Sequence, residues 1–310
     1  MATLALATLA GAPAWACDSS SCSLLTRNQG GLLLRPKSFR VDLSYRQTEQ
    51  RVRLEGTERV DQVLRPKLFL ETGGVLPAFH EERGGREGYL QLDVGYGLNA
   101  RTSVQASFPL SARRSYEISH LGYTARYRTT GVGDVLIGVK RAVGPVAAGL
   151  SLKLPTGDHD RGPDFDGTVL DPMLQPGSGS VDVVGTVQHA FQGGPLQWTL
   201  AASYQRNAAN GFSYRYGDEA IATVGAGRKL AGGLSGSIQL KLFDKGRSRF
   251  RGQGVSSTGA TFVYLTPGLS YAFRGDASLY AFYQVLPYRR VNDAQLAPRR
   301  GFLVGMSKGF

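Results

Sequence analysis

Cys17 and Cys22 are the only thiols among 310 residues, and they stand in a C-x4-C spacing. Two thiols without a nearby histidine make a weak metal site, whereas a short disulfide loop is the ordinary outcome in an oxidising compartment. Asp158, Asp160, Asp164, Asp166 and Asp171 offer enough carboxylate oxygens for a hard cation such as calcium. Their spacing is not that of an EF-hand, and Arg161 among them favours ion pairing inside a solvated loop. Hydrolysis would need a serine with a histidine base. None of His80, His120, His159 and His189 is followed two positions on by serine, and the adjacent Ser119-His120 pair falls in a segment that reads as a loop. No catalytic residue, metal site or cofactor is therefore expected. The ionisable residues with a clearer physical logic are Arg40, Asp42, Arg46, Asp93, Lys140, Lys153, Asp182 and Lys241, each read as lying on the polar side of a strand.

Those strands are legible as a period of two in segments of about ten residues. Phe39, Val41, Leu43 and Tyr45 alternate with Arg40, Asp42, Ser44 and Arg46, and Leu90, Leu92, Val94 and Tyr96 alternate with Gln91, Asp93 and Gly95. The pattern continues through Val146–Leu154, Gln197–Gln205 and Leu234–Leu242, in a chain with 41 glycines, 14 tyrosines and 14 phenylalanines. Connections alternate as well. Tight links near Asn99, Gly144-Pro145, Gly193-Gly194, Gly232-Gly233 and Gly275-Asp276 take turns with long polar links at 111–131, 156–179, 206–218, 246–259 and 289–299. Short turns at one end and long loops at the other predict an all-β, transmembrane, antiparallel up-and-down β-barrel of about 12 strands. Strands are expected near 39, 88, 101, 132, 146, 180, 196, 219, 234, 260, 277 and 300, with 47–87 left open as a further hairpin or one long loop. Aromatic residues near strand ends, Phe108, Phe191, Tyr204, Phe273 and Tyr288, stand where interfacial girdles belong.

The only long uncharged apolar run, Met1 to Cys17, is too short to cross a bilayer as a helix and ends in Ala14-Trp15-Ala16. It reads as a signal peptide over 1–16, followed by a periplasmic segment over 17–38 and the barrel over 39–310, although no Lys or Arg precedes the apolar stretch. The net charge of +12 does not cluster, since its longest basic runs are only pairs, among them Arg113-Arg114, Arg289-Arg290 and Arg299-Arg300. Nucleic acid is accordingly not expected as a partner. A basic rim facing anionic lipopolysaccharide, or an anion-attracting pore mouth, accounts for such charges better.

Several phrases run in order along the chain: Gly131-Val132-Gly133-Asp134-Val135, Leu152-Lys153-Leu154-Pro155-Thr156-Gly157, Leu174-Gln175-Pro176-Gly177-Ser178-Gly179-Ser180, Tyr264-Leu265-Thr266-Pro267-Gly268-Leu269 and Gln295-Leu296-Ala297-Pro298. Together they resemble the MetA-pathway phenol-degradation family of outer-membrane barrels over roughly 88–310. The resemblance implies uptake of small, often aromatic, organic molecules and no catalytic residues. Physically the same phrases are expected at strand entries and exits, where Gly bends the backbone and Pro155 or Pro298 ends pairing. The final strand resembles the C-terminal signal of outer-membrane barrels, with Phe302, Val304, Met306, Lys308 and Phe310 on one face, and so implies contact with the barrel-assembly machinery. The first functional expectation is passage of a small organic solute, aromatic or anionic, through the cell outer membrane. Lysines and arginines of the lumen would set charge preference while Tyr264 and Phe282 touch the solute. A non-transporting barrel that binds a partner through its loops is the second expectation, and a surface hydrolase the third.

Overall fold

The computed structural model describes residues 33–120, 123–162 and 169–310. The expected signal segment 1–16, the Cys17–Cys22 pair, Asp164 and Asp166 lie outside the described residues. Twelve long strands form the wall: β1 Phe39–Glu55, β2 Val75–Asn99, β3 Thr102–His120, β4 Val135–Val143, β5 Val146–Leu154, β6 Asp182–Gly193, β7 Leu196–Arg206, β8 Glu219–Ala231, β9 Leu234–Lys245, β10 Ala260–Ala272, β11 Ala277–Val291 and β12 Ala294–Gly309. Each pairs antiparallel with the next, and β12 returns to pair with β1 from Arg40 opposite Gly309 to Glu55 opposite Ala294. The sheet therefore has no free edge along the wall, which is the condition for burying a β-sheet in lipid. The last residue completes the closure: Phe310 N–H donates to the Phe39 carbonyl at 2.8 Å, Phe39 N–H donates back at 3.1 Å, and the two rings lie 6.4 Å apart.

Side chains are sorted in the sense opposite to that of a soluble sandwich. Leu150 is 57% exposed and Met306 53%, while Asp42, Asp93 and Lys241 are at 0%. The apolar face of the period-two pattern thus lies outside, against lipid, and the charged face lies in the lumen. Outward Phe191, Tyr204, Phe273 and Tyr288 stand at strand ends as the girdle expectation requires. Tight turns follow Asn99, Val143, Gly193, Ala231 and Ala272 at one end, helped by the left-handed backbone of Gly144 and Gly194.

Two expected loops are strand instead. The 289–299 link shrinks to a turn at Asn292-Asp293, because β11 and β12 stay paired out to that point, and Pro298 sits at a register shift inside β12 rather than ending it. The three arginine pairs consequently lie within strands. In 111–131, β3 continues to His120 and folds back as the strand Tyr123–Gly131, which takes over pairing from β4 beyond Ser107. The open segment 47–87 resolves likewise: β1 reaches Glu55, and Leu64–Leu68 forms a hairpin with the start of β2. Tyr264–Leu269 lies in the middle of β10, where pairing with β11 passes from Leu265–Val285 directly to Gly268–Phe282 and Pro267 supplies no N–H.

Three long loops remain as expected, and they roof the lumen. Tyr214-Arg215, Arg249-Phe250 and Gln253-Gly254 make a small three-stranded sheet over a core of Leu68, Leu70, Tyr214, Phe250 and Val255. The loop after β5 dips inward through the 3-10 turn Pro172–Leu174, anchored by Gln175, whose side chain bonds Arg161 and the Leu170 carbonyl. At the opposite end, Lys37 N–H donates to the Gly97 carbonyl and Leu34 N–H to Ser103 Oγ, so the chain before β1 crosses the periplasmic mouth.

Gly268 faces the lumen beneath the Phe282 ring, and a Cβ there would fall 2.0 Å from that ring. Gly268→Val should overpack this layer and cost about 1–3 kcal/mol, typical of added core methyls. The measurement is the urea midpoint of the protein refolded into lipid vesicles, which should fall; an unchanged midpoint would mean that the ring swings freely aside.

Candidate functional site

The inner halves of the strands hold two distinct layers. On the periplasmic side the lumen is packed: Asp42, Asp93, Gln188, Lys241, Thr266 and Gln284 are each no more than 1% exposed. The charges expected to face the lumen do so here and are engaged. Asp42 accepts from Tyr280 Oη at 2.7 Å, and Asp93 accepts from Gln91 at 2.7 Å and from Ser107. Lys140 donates to Gln188 at 2.8 Å, and Lys241 Nζ sits 4.1 Å from the centre of the Tyr264 ring. Arg40 lies half-buried below them near the mouth, and Phe282 packs with Tyr280 and Leu303. Among the described residues, side-chain atoms of Gln239, Thr266 and Gln284 in this layer have no protein hydrogen-bond partner.

Above that layer the lumen opens into a cavity of about 280 Å³. Of the ten residues expected to contact a solute, only Arg46, Lys153 and Tyr264 line it. Lys153 joins Asp182 and Asp134 and donates to Ser178 Oγ at 2.7 Å, while Ser178 donates to Asp134 from its own N–H and hydroxyl. Those bonds fasten the inward loop to the floor of the cavity. Arg46 lies 4.8 Å over the Tyr89 ring.

The cavity is amphipathic. On the β9–β10 side, Phe243 stacks on Phe262 at 6.1 Å and Phe262 meets Tyr264 edge to face, backed by Leu54, Leu286, Val291 and Ala297. On the β2–β3 side, Arg114 donates to Tyr89 Oη at 3.0 Å and to the Met173 carbonyl, and Tyr116 donates to Glu87 at 2.7 Å. Arg114 Nε is buried with no protein acceptor, and among the described residues no carboxylate lies within 4.0 Å of this guanidinium. Burial pushes the phenols of Tyr116, Tyr214 and Tyr216 up, so all three stay protonated hydroxyls at neutral pH. Burial also raises the Glu82 carboxyl, against the pull of Arg65 at 3.4 Å.

Arg114, Tyr89, Tyr116, Phe243, Phe262 and Tyr216 are cavity residues that the sequence reading did not single out. The signal existed for one of the walls: Ala112, Arg114 and Tyr116 keep a period of two, but the phase slips at the register shift near Leu90–Gln91, opposite Pro109 and Ser111. Of the acidic loop, Asp158 pairs with Arg161 at 2.9 Å, and Asp171 stands at the start of the 3-10 turn, where its backbone carbonyl accepts from Leu174 N–H at 2.9 Å. His159 packs edge-on to Phe212, and His189 Nδ1 lies 2.7 Å from the Pro145 carbonyl.

Comparison with solved structures finds the same fold. An outer membrane channel from Pseudomonas putida F1, designated COG4313, is 15% identical, with 89% of this chain and 97% of that chain covered at a TM-score of 0.57. The P. putida toluene transporter TodX is 11% identical over 91% of this chain and 94% of its own, at a TM-score of 0.44. No curated protein sequence matches. The protein is an outer-membrane β-barrel. A family model described as "Putative MetA-pathway of phenol degradation" matches residues 86–287, more than half of the sequence, and the chain belongs to that family.

Proposed function

We propose that this protein is an outer-membrane channel for a small aromatic solute bearing an acidic oxygen, a carboxylate or a phenol, and that the cavity is its binding site. The observation that carries the reading is the division of the cavity into an aromatic wall and a cationic, phenol-rich wall. A ring can lie against Phe243, Phe262 and Tyr264, where aromatic contacts are worth about 0.5–1.5 kcal/mol beyond burial. Its oxygen then faces Arg114, whose Nε–H has no protein acceptor and would gain a charge-assisted bond. The family's description, phenol degradation, supports that class of solute, and the P. putida channel supports the role.

The packed layer beneath favours gated rather than free passage, because a solute must displace Lys241, Gln284 and their neighbours to reach the periplasm. That layer also supports the second reading, a barrel that binds its ligand without transporting it. The hydrolase reading has less support, since the P. putida structure that shares the fold is that of a channel. Placement in the membrane would run through the barrel-assembly machinery reading the strand that ends at Phe310.

Binding of benzoate and of toluene to the refolded protein can be compared by titration. Arg114→Gln should weaken benzoate by roughly tenfold or more, the loss of one charged hydrogen bond, and leave toluene little changed, whereas Phe262→Ala should weaken both. Equal losses for the two solutes in Arg114→Gln would remove the anion-recognition role.

In planar bilayers, ion conductance should be small and anion-selective, with selectivity read from the reversal potential falling in Arg46→Gln. Silence from the folded barrel, together with no uptake of labelled benzoate by loaded vesicles, would leave the non-transporting reading.

A further inference from the structure

The outer wall carries a second charged feature with no part in the cavity. Neighbouring strands place Arg300 of β12, Glu49 of β1, Arg86 of β2, Ser115 of β3 and Arg128 of the Tyr123–Gly131 strand side by side in one outward row. Arg113 stands outward one step nearer the membrane, and Arg51 and Arg126 one step farther away. Successive outward residues on a strand are about 7 Å apart, so six guanidiniums cover a continuous patch. Only two acids share that patch. Glu49 binds Arg51 at 3.0 Å and Arg300 at 2.8 Å, and Glu117 binds Arg126 at 3.0 Å. Arg86, Arg113 and Arg128 are exposed, and among the described residues no carboxylate lies within 4.0 Å of them.

The patch has a defined height and a defined side. On the β11–β12–β1 side, Phe302 and Tyr283 lie one step below Arg300, Tyr45 lies a step lower level with Val304, with Tyr45 and Phe302 rings 6.0 Å apart, and the apolar Leu43 and Met306 follow below. Aromatic girdles mark the headgroup level of a membrane, so the arginines stand at the outer-leaflet headgroups. On the opposite wall Tyr204, Ala220, Asp244 and Thr261 pair side by side across β7–β10, with exposed Arg206 one step beyond Tyr204 and exposed Arg290 next to Thr261, so the cations there stand apart rather than together. A general solubility requirement would spread cations evenly rather than gather six guanidiniums on neighbouring strands.

We propose that this arginine surface docks a phosphorylated glycolipid of the outer leaflet, with its acyl chains along the apolar wall below and its sugar phosphates held by Arg86, Arg113 and Arg128. Guanidinium presents paired N–H donors that match phosphate oxygens, and each cation at a charged membrane surface strengthens attachment. The acyl chains alone would not select this side of the barrel, because the apolar band encircles it.

The test is native mass spectrometry of the refolded full barrel in neutral detergent, titrated with bis-phosphorylated lipid A and with the same lipid after removal of its phosphates. The wild-type protein should hold the phosphorylated lipid at least about tenfold more tightly than the phosphate-free one, a preference lost in an Arg86→Gln, Arg113→Gln, Arg128→Gln triple variant. Heat-dependent gel mobility verifies that the variant is folded. Arg228→Gln with Lys229→Gln, exposed cations at the periplasmic end of β8, serves as the control and should bind as wild type. The proposal is overturned if the triple variant keeps the preference, if both lipids bind wild type equally, or if the control loses as much.

Discussion

The wall of this protein is one residue thick, and every other property follows from that. A strand in lipid must have all its backbone groups paired, which forces closure, and closure with a period of two leaves each side chain only two destinations. Lipid takes one set and the lumen takes the other. A one-residue slip would exchange them entirely, so bulges near Leu90 and Pro298 are structural decisions rather than irregularities.

This constraint explains why adjacent arginines have unrelated roles. Arg113 and Arg114 are neighbours in sequence, yet one guanidinium stands outside with the arginine surface and the other reaches the cavity beside Tyr89. The net charge of +12 therefore divides into an external and an internal population that have no common partner. Counting basic residues along the chain merges the two. Sorting them by strand parity separates them.

Parity also accounts for what was legible in the sequence. The twelve strands, their even number and the inward direction of Asp42, Asp93, Lys140, Lys153, Asp182 and Lys241 all follow from the alternation. Which inward residues meet the cavity does not, because depth depends on strand length beyond the membrane, and polar side chains hide it. At 25 residues β2 is far longer than the 9–11 needed to cross, and its outer part, with Arg86 and Glu82, resembles a polar loop in composition. The same is true of 111–131, so Arg114 and Tyr116 fell into what looked like a connection. The aromatic wall was obscured for a different reason. Tyr264 is read from the sequence as a solute contact, but Phe243 and Phe262 are apolar residues on the inner face, where the lipid-side rule leads one to expect polar ones.

That violation is informative in its own right. An interior phenylalanine in a membrane barrel gains nothing from lipid and would be replaceable by any side chain that filled the space, unless the lumen at that depth excludes water. Here the roof loops and the packed layer beneath narrow the lumen at both ends, and Phe243 and Phe262 pack with Leu54, Leu286, Val291 and Ala297, where apolar burial is again favourable. Burial likewise strengthens the field of Arg114 on the facing wall, since a buried guanidinium is screened less than one in a water-filled pore. Aromatic attraction and charge recognition are thus both consequences of a lumen narrowed at two levels, and a wide open pore would have neither.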